Sequence, residues 1–284
     1  MGYFFIALSV CSSLIIAHFL KLSERSESRV LNVLSINYLT AACIGFSISE
    51  YETPLFSGDS LPVIIIALLL GIIFIVNLFV YSSSIDKIGM GISITAMRIS
   101  LVIPIFVSLF IYNEHLSYLG YTGMGLVLIS LYLLIPRTKE KEFLGFKTAF
   151  YPILIFLFSG FIDVMLKVFE REYNHILSEY TFLGFIFLSA FISGMLMLVR
   201  KKELSFKPKE IFYGIIIGIA NLYSSFFLLL ALKEMSGSIV FSLTNISIVL
   251  IGTMIGVLVW KDRLTMKQKT GLIGASLSIL LLIG

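Results

Sequence analysis

Two opposite charges fall inside apolar runs of this chain, and they are where chemistry is to be sought. Arg98 lies about ten residues into a hydrophobic stretch. A guanidinium there costs about 2.5–3.5 kcal/mol on insertion scales, so it needs a reason to stay. One reason is recognition: the planar fork grips a carboxylate or a phosphate through two parallel hydrogen bonds. Other readings are snorkelling to the nearer interface, or a structural pair with Asp163. Asp163 is the one acid well inside an apolar segment, with Lys167 one helical turn on. It is either half of an i,i+4 pair with Lys167 or a desolvated carboxylate that carries a coupling proton.

Uncharged polar groups accompany them. Asn77, Tyr81, Asn221, Tyr223, Ser224, Ser225, Thr244 and Asn245 all interrupt hydrophobic segments. In lipid such groups usually bond neighbouring helices. As a ligand set, Asn77, Tyr81, Arg98, Asn221, Tyr223, Ser225 and Asn245 would contact a substrate, and Asp163 would couple the proton.

The elements that hold these residues follow from composition. Of 284 residues 58% are hydrophobic and 13% charged, against about 45–50% and 25% in soluble domains. A membrane helix needs about 20 apolar residues. Ten segments qualify, at 3–20, 30–49, 61–85, 88–112, 118–135, 149–169, 177–199, 211–232, 238–260 and 270–283. The last is short, and Lys267 and Lys269 can snorkel to extend it. The first lacks a basic leader and a cleavage pattern, so it reads as an uncleaved span. Continuous runs of this length exclude a β-barrel, which alternates over about ten residues. The fold class is therefore all-α and polytopic.

Charge sets the orientation. The loops after spans one, three, five, seven and nine hold seventeen Lys and Arg, while the other side holds only Lys167, Arg171 and Lys233. Basic loops face the cytoplasm, which places both termini outside. The net charge of +4 is thus accounted for without a nucleic acid. Cys11 and Cys43 read as buried free thiols, and His18, His115 and His175 match no metal-ligand spacing. No P-loop, metal cluster or nucleophile–base pair is evident. Neither an enzyme nor a cofactor is expected, and the absence of an acid in span one disfavours a small-multidrug-type cation exchanger.

An internal repeat organises the spans. An offset of about 148 residues lays Asn113-Glu114-His115-Leu116-Ser117 on Lys261-Asp262-Arg263-Leu264-Thr265. It also pairs Thr122-Gly123 with Thr270-Gly271, Ser130 with Ser278, and Gly89 with Gly237; Asn77-Leu78 meets Asn221-Leu222 with a gap of about four. The repeats run over 1–137 and 147–284. Five spans per repeat force opposite orientations, so the ten helices form two inverted five-helix repeats, an arrangement in which transporters place a midplane site at the repeat interface. Glu114 and Asp262 precede Ser117 and Thr265, which are expected as helix N-caps, and favour the positive end of a helix. Pro104 and Ser108 in span four, like Gly252 and Gly256 in span nine, predict close packing with a local bend.

Five plus five spans, an acid before the last helix of each half (Glu114, Asp262), a Gly-rich entry after it (Gly120, Gly123, Gly125; Gly271, Gly274) and the run from Tyr81 through Pro104 to Glu114 together resemble the EamA-type branch of the drug/metabolite transporter superfamily. The second half departs from that pattern, with Gly252 at the proline position and Asp262 in place of the usual Glu. The resemblance implies export or exchange of small metabolites, often amino acids, nucleotide derivatives or toxic compounds, through a cavity lined by spans one, three, four, six, eight and nine. The expected function is secondary active transport of such a solute by alternating access in the plasma membrane. The alternative is a non-transporting membrane subunit or sensor that keeps the fold. The expected partners are a small-molecule substrate and the lipid bilayer, and a homodimer is compatible with this reading.

Overall fold

The computed structural model describes residues 1–49, 58–88, 90–134, 146–202, 204–260 and 264–283. Gly89, Lys261, Asp262 and Arg263 of the repeat, the loop residues Arg137, Lys139 and Lys141, and Gly284 lie outside them. All the regular structure among the described residues is helical: α1 (Gly2–Arg25), α2 (Val30–Ile48), α3 (Ser60–Ile88), α4 (Met90–Ile99), α5 (Val102–Phe106), α6 (Tyr118–Leu134), α7 (Phe146–Val168), α8 (Glu179–Lys201), α9 (Pro208–Glu234), α10 (Gly237–Trp260) and α11 (Met266–Ile283). π-helical turns at Val107–Ile111 and Phe169–Tyr173 extend α5 and α7.

Among the described residues nine stretches are long and apolar enough to cross a membrane, and α6 is a shorter apolar helix. The chain is a multi-pass membrane protein. Its helices are apolar on both sides, as a helix between protein and lipid must be. On α3, Val63, Ala67, Leu70 and Ile75 are buried, while Ile65, Leu69, Ile72 and Phe79 are exposed on the opposite face. Span four is interrupted near its proline: α4 stops at Ile99, a turn at Ser100 and Leu101 follows, and Pro104 lies in the first turn of the short α5, which starts at Val102. The last span is longer than its apolar run, because α11 starts at Met266 and takes in Lys267 and Lys269.

Two expectations are corrected. Cys11 and Cys43 are free thiols, but both are exposed; in a bilayer the apolar surface faces outward, so an apolar neighbourhood does not mean a buried one. Lys167 pairs with Glu170 rather than Asp163, at 3.2 Å. The i+3 carboxylate lies in the π turn and, like Lys167, is almost fully shielded, so the two charges satisfy each other.

The chain divides into two compact units. Unit 1 holds residues 1–76 and 165–233, unit 2 residues 77–164 and 234–284. Within unit 1, α2 packs along α8 and also along α9. There a Cβ on Gly214 would come within 2.5 Å of Ile36, and one on Gly218 within 2.6 Å of the Asn37 carbonyl. Only glycine permits that approach. Within unit 2, α6 packs along α11, with Gly123 against Leu281 and Leu282 and Gly271 against Leu133 and Leu134. The expected caps are present: Ser117 Oγ accepts from the Gly120 amide at 3.1 Å, and Thr265 and Gln268 form a capping box, the Gln268 amide donating to Thr265 Oγ1 at 3.3 Å and the Thr265 amide to Gln268 Oε1 at 2.9 Å.

Candidate functional site

Five of the sequence-derived site residues belong to unit 2, on four of its helices. Asn77 and Tyr81 are one turn apart on α3, Arg98 ends α4, Asp163 is on α7 and Asn245 on α10. Asn77 Nδ2 donates to Ser159 Oγ at 3.0 Å, and Ser159 is one turn before Asp163 on α7. The Asn77 Oδ1 atom is buried without a hydrogen-bond partner. Arg98 Nη1 donates to Asn245 Oδ1 at 3.2 Å, and Asn245 Nδ2 donates to the Phe241 carbonyl at 3.1 Å.

Arg98 lies within electrostatic reach of both Tyr81 and Asp163. Arg98 and Asp163 do not form an ion pair within 4 Å, and among the described residues Asp163 accepts no hydrogen bond. Arg98, with five N–H donors, therefore has one neutral amide as its hydrogen-bond partner. The arrangement has donors at one point and unused acceptors at another, which is what a polar solute needs.

In unit 1, Asn221 and Ser224 are taken up by bonds between helices. Asn221 Nδ2 donates to Asn37 Oδ1 at 3.1 Å, a bond between α9 and α2. Ser224 contacts Ser13 Oγ at 2.7 Å, and its carbonyl accepts from Ser9 Oγ at 2.8 Å, joining α9 to α1. Tyr223 lines a cleft of about 480 Å³ between α1 and α9, with Ser12, Ile15, Ile216, Ile219, Ala220 and Phe227; its ring lies 5.8 Å from that of Phe227. Ser225 is half-buried on α9.

Two acids absent from the sequence-derived site proved central to the packing. Glu210 is fully buried in unit 1. Its carboxylate accepts from Arg29 N (3.1 Å), Nε and Nη2 (both 3.0 Å), Asn32 Nδ2 (2.9 Å) and Lys207 N (2.9 Å). The Ser205 carbonyl accepts from Arg29 Nη2 and from Asn32 Nδ2. One carboxylate thus caps the starts of both α2 and α9. Glu210 stands three residues after Lys207 and supplies the acid half of a capping box, whose N-cap Lys207 has no acceptor to return the bond. In unit 2, Glu114 reaches the start of α10 rather than of its own helix, accepting from Gly237 N at 3.0 Å and Ser238 N at 3.2 Å. Among the described residues no group of three or more His, Cys, Asp or Glu could hold a metal ion.

Residues 146–284, from α7 through α11, match the model of the EamA-like transporter family. The EamA-like stretch carries Asp163, Glu210, Asn221, Tyr223, Ser225 and Asn245, while Asn77, Tyr81 and Arg98 precede it. It is similar to an uncharacterised protein of Haemophilus influenzae, 24% identical over 278 residues, covering 93% of this chain and 92% of that one. A protein of known crystal structure has the same fold, with a TM-score of 0.72, 12% identity and 98% of each chain covered.

Proposed function

We propose that this EamA-like chain is a secondary active transporter that exports or exchanges a small organic metabolite, such as an amino acid or related solute, by alternating access in the plasma membrane. The observation that carries the reading is Arg98: a cation in the apolar part of the fold, hydrogen-bonded to a single neutral amide and with no ion pair to nearby Asp163. A structural pair would close to a two-bond bridge, because an unpaired charge in a low dielectric is costly. An open pair leaves Arg98 to take the solute's anionic group, Asn77, Tyr81 and Asn245 to orient it, and Asp163 to carry the proton.

The inverted repeat is supported by the helix boundaries. At an offset of about 148 residues the span Gly2–Arg25 meets Phe150–Tyr173, Ser60 meets Pro208, and Tyr118–Leu134 meets Met266–Ile283. The α6–α11 contact is reciprocal: Gly123 and Gly271 are equivalent, and each packs on the leucine pair equivalent to the other's. Such self-complementarity is what a two-fold relation between the repeats would produce, and it supports that reading.

The test is flux. A metabolite-resistance screen in an overexpressing host supplies a solute, which is then followed in proteoliposomes. Asp163→Asn is expected to abolish flux driven by a pH gradient and to leave counterflow of that solute intact, since binding would survive. Gradient-driven flux at the wild-type rate would remove Asp163 from coupling. Orientation is tested separately. A cysteine at Ser205, in the basic segment before α9, is expected to resist an impermeant thiol reagent in intact cells and to react once they are opened, whereas a tag after Gly284 is accessible from outside. Labelling of Ser205→Cys in sealed cells would invert the topology.

A further inference from the structure

Helix α10 brings Asn245 to Arg98, yet polar bonds along its inner length do little to fix it. Ser242 Oγ and Thr244 Oγ1 are buried without hydrogen-bond partners, and the Asn245 amide hydrogens are directed to the helix's own Phe241 carbonyl. The start of the helix is held differently. The Glu114 carboxylate accepts from Gly237 N at 3.0 Å, from Ser238 N at 3.2 Å and from Ser238 Oγ at 3.2 Å. A carboxylate on free amides at the positive end of a helix forms charge-assisted bonds and complements the helix dipole.

Glu114 is itself aimed by backbone geometry. Asn113 has φ of 51°, in the left-handed region that Asn tolerates, and the Glu114 amide donates to the Ser108 carbonyl at 3.1 Å across the π turn. From Gly237 to Asn245 is eight residues, or about 12 Å at 1.5 Å per residue. A displacement or rotation of the first turn is therefore transmitted along a continuous helix to Asn245.

We infer that Glu114 is a positioning residue for the solute site: by clamping the first turn of α10 it sets the depth and rotation at which Asn245 meets Arg98. The inference rests on the reading of Arg98 as the anion-binding group, but its test does not. The probe is phenylglyoxal, which modifies arginine, with modification of Arg98 followed by peptide mass spectrometry on purified protein whose fold is checked by thermal unfolding.

Asn245→Ala is expected to raise the Arg98 modification rate severalfold by removing its partner. Glu114→Gln is expected to raise it comparably, and the double variant Glu114→Gln, Asn245→Ala no further than Asn245→Ala alone. Independent, multiplying effects in the double variant would overturn the inference, as would a Glu114→Gln rate equal to wild type. Should Glu114→Gln fail to fold, Glu114→Asp keeps the charge but withdraws it by one methylene, and the same two outcomes decide. Acetate, as the simplest carboxylate, is added in a second arm. Protection of Arg98 by acetate supports the anion reading; its absence alongside a non-additive cycle leaves Glu114 as the positioning residue and counts against the anion site alone.

Discussion

Arg98→Ala is expected to abolish solute binding while leaving a folded, monodisperse protein in detergent. The guanidinium is the one group in the unit 2 network that can neutralise an anion through two parallel bonds, and Ala offers neither charge nor donor. Arg98→Lys keeps the charge but loses the fork. A hydrogen bond to a charged group contributes about 1.5–3 kcal/mol, and each 1.4 kcal/mol is about tenfold in affinity. Affinity for a carboxylate or phosphate solute is therefore expected to fall about ten- to a hundredfold in Arg98→Lys, measured by direct binding or by the concentration dependence of counterflow. A different outcome would assign the pair to structure: Arg98→Ala unfolds the protein, and adding Asp163→Ala restores it. The solute would then be read by Asn, Tyr and Ser side chains alone.

The largest stability loss is expected at the opposite kind of site, where every bond is made. Glu210→Ala removes the acceptor for five donor atoms, two of them backbone amides at helix starts, leaving the Arg29 charge and the Lys207 amide without it. Removing one partner of a buried, hydrogen-bonded pair costs about 3–5 kcal/mol. The Arg29 side chain is 31% exposed, and water access places the expected loss at the lower end of that range. Glu210→Gln retains an oxygen acceptor and is expected to lose less. Thermal unfolding in a fixed detergent and the yield of folded protein report the effect. A Glu210→Ala variant as stable as wild type would show that the cluster adds nothing net.

These two sites differ in how far the sequence discloses them. Arg98 and Asp163 stand out because a charge among apolar residues is conspicuous by itself. The spans are equally plain, since about 20 apolar residues have few other uses, and the caps at Ser117 and Thr265 follow from local hydroxyls at helix starts. Partnership is another matter. Glu210 looks like a solvated acid in a basic segment, and its main partner, Arg29, is 181 residues away. Glu114 precedes one helix but binds the start of another, 123 residues on. Lys167 has carboxylates at i−4 and i+3, and a π turn, which no residue type announces, decides for Glu170. Asn221 could not be sorted from Asn77 by type: both are amides in apolar helices, but Asn221 faces the amide of Asn37 whereas Asn77 keeps a buried oxygen without a partner.

The contact of α9 with α2 also has a mechanical meaning. Glu210, Gly214, Gly218 and Asn221 recur at steps of four, four and three residues, so they form one stripe along α9. The stripe is keyed to α2 at every level: by ion pairing at Arg29, by backbone approach at Ile36 and Asn37, and by the amide bond to Asn37. A sliding of one helix along the other would drive Ile36 into the α9 backbone before any bond could re-form. The two helices therefore act as a single stiff beam, able to tilt as a piece but not to shear lengthwise, and whatever bending a working cycle requires has to be borne by other segments of the chain.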